Sequence, residues 1–518
     1  MNATTPASNE VTLEGVSKAF GPTTVLQDLD LTIGAGELVT VLGPSGCGKT
    51  TALRILAGFE KPTDGRVLVG GRELTQVPPN RRGIGMVFQA YSLFPNMTVQ
   101  DNVEYGLRVR KVDAVGERIF VEGNAAAALG CVYGGATVCA WYPITPSSSL
   151  AEAFAKYCGK YRSDADGKAR HAIIQAEDEI ASIGMVVGAG WNGARAFTAT
   201  SGPGISLMNE FIGLAYFAEI PVTIIDVQRG GPSTGMPTRT QQSDLTLCAY
   251  ASHGDTKHVL LLPEDPHECF AFAADALDLA DRLQTPIFVM TDLDIGMNQR
   301  LCAPFEWDDA RTYDRGKVLT AEDLDAGKVL ARYRDLDGDG IPYRTWPGTH
   351  PDKGAYFTRG TSRNPEAIYS ERGPDYVYNM ERLLQKWQTA RTLVPQPVVV
   401  QSDIPARHGA IFFGSTSPAM AEAIALLQDD GIALDTLRVR AFPFPEAVRA
   451  FIDAHESVFV VEQNRDGQLR ALLVNEFGID PARLVAVLHY DGTPITARFI
   501  AGAVVGHVRP VSREDQVA

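Results

Sequence analysis

A glycine-rich loop near the start of the chain is the first feature able to do chemistry. Residues 43–50 read GPSGCGKT, followed by Thr51. Such a loop directs backbone N–H groups at phosphate oxygens, while Lys49 adds positive charge and Thr50 offers a hydroxyl to Mg²⁺. It lies between an apolar run at 38–42, predicted to be a buried strand, and a predicted helix over 50–57. This context predicts a Walker A nucleotide site built from Gly43, Ser45, Gly46, Gly48, Lys49, Thr50 and Thr51.

Three consecutive acids form the second candidate site. Glu177, Asp178 and Glu179 precede an apolar run over 180–187 that predicts a helix. A carboxylate at this place is either an ordinary helix-start acid stabilised by the helix dipole, or a group in an apolar setting that shares a proton with a ligand. The spacing does not decide which of the three acids has such a role.

A third candidate follows a predicted strand over residues 221–226. Arg229 comes next, and Gly230 and Gly231 allow a close approach of the backbone. A planar guanidinium can bind a carboxylate with two hydrogen bonds, although a lone arginine after a strand is also a common solvated charge.

In the segment YPITP, Thr145 is a predicted helix cap with Pro146 as the first helical residue.

Strands and helices alternate through most of the chain, which is typical of a mostly parallel, doubly wound α/β sheet. Strands are predicted over 197–200 and 286–291, with a turn over 202–204 and an apolar helix over 205–217. In such sheets ligands bind where the strands end in loops. We predict four regions: 1–112 with the phosphate loop, 113–305 as the first α/β domain, 306–395 as an irregular connecting segment, and 396–518 as a second α/β domain.

Composition excludes several function classes. The 518-residue chain has a net charge of -15, which is unsuited to nucleic-acid binding. It has neither an apolar run long enough to span a membrane nor the pattern of a signal peptide near Met1, so we expect a cytoplasmic protein. Seven cysteines without a CxxC pair argue against a disulfide framework and against a metal or iron–sulfur site in this chain.

Residues 10–111 resemble the ATPases of ATP-binding-cassette importers, and Gln89 in VFQ matches the Q-loop of that family. The later family motifs, an LSGGQ-type signature, a Walker B acidic pair and a switch histidine, are missing. The resemblance therefore implies a truncated P-loop fragment with a vestigial nucleotide site. ATP binding remains possible there, but hydrolysis is not expected because no acidic pair holds Mg²⁺ or orients water.

Residues 117–515 resemble the α subunit of 2-oxoacid:ferredoxin oxidoreductases, most closely the 2-oxoglutarate type. The motifs that carry this resemblance are GNAAAALG from Gly123, YPITPSSSL from Tyr142, AEDEIASIGMVVGAGWNGARAFTATSGPG from Ala176 and DVQRGGPSTGMPTRTQQSDL from Asp226. The resemblance implies a pyrimidine-type doubly wound domain of thiamine-diphosphate enzymes. It also implies a transketolase C-terminal-like α/β domain.

The resemblance assigns roles to four residues. Glu179 is the catalytic residue, placed against the aminopyrimidine ring of thiamine diphosphate. Arg229 binds the carboxylate of the 2-oxoacid, while Thr145 and Thr238 complete the substrate site.

The resemblance also implies partners. A separate β subunit would hold the diphosphate with its Mg²⁺ and carry a [4Fe-4S] cluster, so this chain is not expected to be active alone. The pair would convert a 2-oxoacid, preferably 2-oxoglutarate, and coenzyme A to acyl-CoA and carbon dioxide, with electrons passed to ferredoxin. The alternatives are an ATP-binding importer subunit, or a non-catalytic hybrid whose front end blocks the β subunit.

Overall fold

The chain forms two compact units, residues 1–106 and 107–518. The computed structural model describes residues 10–44, 47–82, 84, 86 and 117–509. The predicted junction near residue 112 lies outside these ranges, as do Ser45, Gly46 and Gln89 and most of the strand predicted over 84–88.

The first unit contains a four-stranded antiparallel sheet in the order β2–β1–β3–β4. A small core of Leu13, Val16, Ile55 and Val67 joins this sheet to a short helix. The elements are β1 (Val11–Phe20), β2 (Thr23–Ile33), α1 (Lys49–Ala57), β3 (Asp64–Val69) and β4 (Arg72–Glu73). The predicted helix after the phosphate loop is therefore present.

The strand predicted over residues 38–42 is wrong. These residues have no regular secondary structure, and Leu38 and Leu42 are 94% and 87% exposed. A buried parallel strand needs hydrogen-bonding neighbours and cover on both faces. The strands of the antiparallel sheet pair with one another, so this apolar run joins no sheet in the described part of the unit.

The second unit opens with an α/β region over residues 119–302. Its elements are β5 (Ile119–Glu122), α2 (Gly123–Tyr133), β6 (Val138–Trp141), α3 (Ser148–Tyr161), β7 (Ala172–Gln175), α4 (Glu179–Trp191), β8 (Ala196–Thr200), α5 (Gly202–Ala218), β9 (Val222–Gln228), α6 (Leu245–Ala249), β10 (Val259–Leu261), α7 (Pro266–Leu283), β11 (Pro286–Asp292), α8 (Leu293–Met297) and β12 (Gln299–Cys302).

Six of these strands form a parallel sheet in the order β10–β11–β9–β8–β6–β7, and β5 pairs with β12 separately. Strands β8, β9 and β11 are buried along their whole length, as expected for parallel strands covered on both faces. Helix α2 packs against α3 and α7, and α4 packs against α5. This arrangement is the predicted doubly wound sheet.

The segment predicted to be irregular contains a short helix, α9 (Ala321–Asp325), and ends in the long helix α10 (Gly373–Leu393). It is anchored by Glu219, the C-cap residue of α5, which is completely buried. Arg382 and Lys386 of α10 both bind its carboxylate. Buried ion pairs thus attach the long helix of the connecting segment to the C-terminal end of α5.

The C-terminal region forms a second sheet, in the order β13–β15–β14–β17–β18. Its elements, with one strand that pairs elsewhere, are β13 (Val398–Val400), β14 (His408–Phe412), α11 (Ser417–Asp429), β15 (Leu434–Arg438), β16 (Ala441–Phe442), α12 (Glu446–Ala454), β17 (Ser457–Glu462), α13 (Gln468–Phe477), β18 (Leu484–Leu488) and α14 (Ala497–Val508).

Strand β16 is not part of this second sheet. It pairs antiparallel with β10, at the edge of the first sheet. The two α/β regions therefore share main-chain hydrogen bonds as well as packed side chains. Across the described ranges, none of the helices has the length and apolar character needed to cross a membrane.

Candidate functional site

The predicted site residues of the second unit follow β6, β7 and β9, three of four neighbouring strands in the spatial order β9–β8–β6–β7. Thr200 and Asp226, near the ends of β8 and β9, are paired residues in the sheet. Because the strands are parallel, their carboxyl ends meet at one edge, where a doubly wound sheet binds its ligands. The loops that carry Thr145, Glu179 and Arg229 all leave from this edge.

The structure separates the three consecutive acids that the sequence left equivalent. Glu177 is exposed, and Asp178 is the N-cap of α4, with its side chain accepting a hydrogen bond from the Ala181 N–H at 2.7 Å. Glu179 begins the helix and is only 6% exposed. Among the described residues, none donates a hydrogen bond or forms an ion pair with its carboxylate. Glu179 is therefore the acid left free to bind a ligand.

Two glycines make room for carboxyl side chains at this edge. A Cβ atom added at Gly204 would lie 2.9 Å from Cγ of Glu179, and one at Gly202 would lie 2.5 Å from Oδ1 of Asp244. The sequence predicted a turn over these residues, which is wrong: they form the first turn of α5. The glycines are needed because two side chains cross the start of this helix.

Arg229 and Thr238, predicted together as substrate-binding residues, contact each other directly. Nη1 of Arg229 donates a hydrogen bond to Oγ1 of Thr238 at 2.7 Å. The contact depends on a folded-back loop, in which Gly230 and Arg239 exchange two main-chain hydrogen bonds of 2.9 Å. A Cβ atom at Gly231 would lie 3.1 Å from the guanidinium carbon, so the glycine lets the main chain pass close by.

The guanidinium of Arg229 retains unused binding capacity. Its Nε is buried and has no hydrogen-bond partner among the described residues, and Nη1 is the one guanidinium nitrogen with a partner there. Within the described ranges no carboxylate lies within 4 Å of it, since it forms none of the ion pairs found there. A half-buried guanidinium in this state is suited to bind a carboxylate from a ligand.

Thr145 lies in an exposed turn after β6 and makes no hydrogen bond to Glu179 or Arg229 in the described part of the chain. The prediction that it caps a helix starting at Pro146 is wrong, because α3 begins at Ser148 with Ser147 as its N-cap. The turn is instead held by Ser148, whose hydroxyl accepts a hydrogen bond from the Ile144 N–H at 3.1 Å. This frees the Thr145 side chain from a capping role.

Sequence reasoning missed a buried acidic pair beside Arg229. Asp226 of β9 and Asp244, just before α6, are both buried and interact electrostatically. Burial, with the neighbouring Asp244, raises the pKa of Asp226 well above its usual range. Burial also raises the pKa of Asp244 to about 7, against the opposing effect of Arg229. The available signal was an acid within a mostly apolar strand.

The C-terminal region fixes the loop that carries these residues. Gln242 donates its main-chain N–H to the carbonyl of Gln463 at 2.9 Å, and Asn464 donates its side-chain amide to the carbonyl of Gln242 at 3.0 Å. The side-chain amide of Gln242 donates to Asp292 at 3.1 Å and to Ser415 at 3.2 Å. The second sheet thereby positions the loop from Arg229 to Asp244.

The phosphate loop of the first unit is partly described. Lys49 donates hydrogen bonds to the carbonyls of Gly43 at 2.6 Å and Pro44 at 2.7 Å. Gly48 has a left-handed conformation before α1, and a Cβ atom there would lie 2.7 Å from Leu26. The nucleotide role of Gly43, Gly48, Lys49, Thr50 and Thr51 stays a prediction. Searched over the described ranges, the chain has no cluster of three metal-ligating side chains.

Two family models match the chain, and their ranges overlap over residues 129–166. Residues 129–320 match the thiamine-diphosphate-binding domain of pyruvate flavodoxin/ferredoxin oxidoreductases. Residues 26–166 match the ABC transporter family, which supports the P-loop fragment at the front of the chain. The fold and site thus define a thiamine-diphosphate-binding oxidoreductase domain preceded by part of a transporter ATPase domain.

Relatives and a solved structure agree on the family. The chain is 34% identical over 356 residues to the 2-oxoglutarate synthase subunit KorA of Methanothermobacter thermautotrophicus, covering 67% of this chain and 88% of that protein. It is 35% identical over 396 residues to subunit alpha of the 2-oxoacid:ferredoxin oxidoreductase 2 of Aeropyrum pernix, covering 74% of this chain and 60% of the relative. The chain belongs to the family of 2-oxoacid:ferredoxin oxidoreductase α subunits.

The solved 2-oxoglutarate:ferredoxin oxidoreductase of Magnetococcus marinus, with 2-oxoglutarate, coenzyme A and succinyl-CoA bound, is similar with a TM-score of 0.69 and 29% identity. The match covers 79% of this chain and 70% of that one. Several curated relatives are longer, and this chain spans 60% to 62% of their length.

Proposed function

We propose that this chain is the α subunit of a thiamine-diphosphate-dependent 2-oxoacid:ferredoxin oxidoreductase that acts with a separate β subunit. The reaction converts a 2-oxoacid and coenzyme A to acyl-CoA and carbon dioxide, while two electrons reduce ferredoxin and one proton is released. The preferred substrate is 2-oxoglutarate, as the names of the relatives suggest. The observation that carries the proposal is the side chain of Glu179, which is only 6% exposed and whose carboxylate has no donor among the described residues.

Glu179 fits the aminopyrimidine ring of the cofactor. A carboxylate that has no protein donor and belongs to a largely buried side chain is available to a ligand that provides the hydrogen bond. The carboxyl group of Glu179 would hold a proton against a ring nitrogen, and Gly204 leaves the space in which the side chain lies. When bound, thiamine diphosphate supplies the carbon nucleophile that attacks the 2-oxo group.

Arg229 and Thr238 would bind the carboxylate of the substrate. The Nη N–H groups of Arg229 that have no partner among the described residues are available to the substrate carboxylate, and the hydrogen bond to Thr238 fixes the direction of the guanidinium. Fixing the carboxylate aligns the bond that breaks on decarboxylation with the carbonyl group. Thr145, in the exposed turn after β6, would contribute a hydroxyl from the neighbouring loop.

We assign the diphosphate-binding and electron-transfer parts of the enzyme to partner proteins. The β subunit would bind the diphosphate with Mg²⁺ and carry the [4Fe-4S] cluster that passes electrons to ferredoxin. Of the seven cysteines here, Cys47 is exposed and the other six are buried, and none forms a disulfide. The names of relatives as alpha subunits support a multi-subunit enzyme. We place the complex in the cytoplasm.

The P-loop fragment is the basis of the alternative function, an ATP-binding importer subunit. The strand that should precede its phosphate loop is missing, and the leucines of that segment are exposed. This arrangement is unfavourable for a P-loop site, which needs a strand to support the loop. We therefore propose that the fragment has no transport role.

Substitution of Glu179 tests the proposal. The chain is co-expressed with its β subunit, and reduction of a viologen dye is measured with 2-oxoglutarate and coenzyme A. Glu179→Gln should lower kcat by about 10²–10⁴-fold, since it removes an acid–base group while keeping the shape. The control Glu177→Gln alters an exposed acid two residues away and should retain full activity.

Two outcomes would contradict the proposal. Unchanged activity of Glu179→Gln would remove Glu179 from the chemistry. Failure of the wild-type chain to co-purify with the β subunit would favour the non-catalytic hybrid.

A further inference from the structure

Asp226 and Asp244 form a pair of buried carboxyl groups with very few polar contacts. Among the described residues, Oδ2 of Asp226 contacts only the thiol of Cys248, at 3.7 Å, and Oδ1 of Asp226 has no hydrogen-bond partner. Oδ2 of Asp244 is buried and likewise has no partner among these residues. Neither acid has an arginine or lysine nitrogen within 4 Å in the described part of the chain. Such an arrangement is costly for an ionised group.

The position of Asp244 shows that its side chain is not used for capping. It is the N-cap residue of α6, where an aspartate commonly binds the first N–H groups of its helix, but no such bond is made. The carboxyl group turns instead to the start of α5, where the hydrogen atoms of Gly202 leave room for it. Only the main-chain N–H of Asp244 is fixed, by Oε1 of Gln228 at 3.1 Å.

Within the described part of the chain, Arg229 is the cation whose charge acts on Asp244. Strand β9 contributes Asp226 and, just beyond its end, Arg229, whereas α6 contributes Cys248, whose pKa is raised by burial and by the two acids. Helix α5 presents its N-terminus and no titratable side chain at Gly202, and the acid of α4, Glu179, lies over Gly204. Because the two carboxyl groups are buried and interact, ionisation of one disfavours ionisation of the other.

We propose that Asp244 is a positioning residue that exchanges a proton as the substrate carboxylate binds to Arg229. When Asp244 is protonated, the guanidinium is free to attract an anionic substrate. When Asp244 is ionised, its carboxylate competes with the substrate for the same cation. This inference rests on the proposed role of Arg229, and it adds that the 2-oxoacid binds together with one proton.

The pH dependence follows from the charges. The pKa of Asp244 is about 7, raised by burial, so the acid is mostly neutral below that pH and mostly ionised above it. The KM for 2-oxoglutarate should therefore be constant at lower pH and rise above about pH 7, by up to about tenfold per pH unit. The value of kcat should change much less, because the competition concerns binding.

The test uses the αβ complex, with KM and kcat for 2-oxoglutarate measured from about pH 6 to about pH 9. Asp244→Asn keeps the shape but cannot ionise, so its KM should stay low and flat across this range. The control Asp255→Asn changes an exposed acid and should keep the rise in KM. An Asp244→Asn variant that still shows the wild-type rise would overturn the inference.

A second measurement covers the case in which Asp244→Asn does not assemble. Calorimetric titration of the wild-type complex with 2-oxoglutarate, in two buffers of different ionisation enthalpy, reports protons taken up on binding. We expect uptake approaching one proton above about pH 7, and none would overturn the inference.

The variant Arg229→Ala distinguishes a failure of the proposed function from a failure of this inference. If that variant leaves KM unchanged at low pH, Arg229 does not bind the substrate and the proposed role fails. If it raises KM while Asp244→Asn behaves as wild type, only the role of Asp244 fails.

Discussion

Arg229 donates a hydrogen bond from Nη1 to Oγ1 of Thr238, nine positions further along a loop that folds back on itself. The bond orients the guanidinium while leaving Nε without a partner. A threonine nine residues away in sequence thereby decides where the positive charge of the candidate substrate site points.

Removal of that hydroxyl should weaken substrate binding. Thr238→Val keeps the shape but loses the acceptor, and KM for 2-oxoglutarate should rise about tenfold, the effect of losing a hydrogen bond to a charged group worth about 1.5 kcal/mol. Thr238→Ser retains the hydroxyl and should restore near wild-type KM. Steady-state kinetics of the αβ complex make the comparison, and equal KM values for the two variants would show that the hydrogen bond is irrelevant.

A side chain at Gly204 should disturb the site beside Glu179. The methyl group of Gly204→Ala would lie 2.9 Å from Cγ of Glu179 and even closer to the Thr200 hydroxyl. We expect a severe loss of activity and weaker binding of thiamine diphosphate, measured by fluorescence titration. The control Gly188→Ala lies on α4, where an added methyl meets nothing within 4 Å.

The control should keep full activity and gain about 0.5–1 kcal/mol of stability, because alanine is the better helix former. If the two glycine variants behave alike, Gly204 does not provide the space proposed for Glu179.

Glu219 should contribute strongly to stability. Its carboxylate is completely buried between Arg382 and Lys386, so Glu219→Gln leaves these cations without their partner. We expect a loss of about 3–5 kcal/mol in the free energy of unfolding, the usual cost of breaking a buried pair. Urea unfolding measures it, and the exposed Glu422→Gln on α11 should change stability by less than about 0.5 kcal/mol.

The same variant has a predicted pH dependence. Burial alone would raise the pKa of Glu219, but Arg382 and Lys386 outweigh it and hold the pKa far below the ordinary 4.5. The stabilisation is therefore complete above about pH 4.5 and is lost as the pH falls towards the lowered pKa. The stability difference between wild type and Glu219→Gln should shrink on acidification; a constant difference would argue against this charge effect.

Strongly patterned elements were predictable from sequence. The apolar runs of β8, β9 and β11 are short, β-branched and bounded by turn residues, and they form the predicted parallel sheet. The run over residues 38–42 has the same composition but forms no strand. A strand forms when neighbouring strands provide hydrogen bonds and cover, and the residue pattern alone does not reveal whether those strands are present.

Capping and pairing were less predictable. Thr145 was expected to cap a helix that in fact begins later, at Ser148, and residues 202–204 begin a helix where a turn was expected. The short strand β16 pairs across to the first sheet, far from it in sequence. Local residue preferences are weak at element ends, so tertiary contacts set these boundaries.

The sequence by itself determined the family, the parallel α/β architecture and the residue types available at the site, because apolar periodicity and long ordered motifs are local properties of the chain. Only the tertiary structure decided which of three adjacent acids is buried, and it alone revealed the Asp226 and Asp244 pair next to Arg229. The physical reason is that burial and charge interaction depend on what other segments bring to the same place. The pKa of a carboxyl group and its hydrogen bonds are set by neighbours that are distant along the chain.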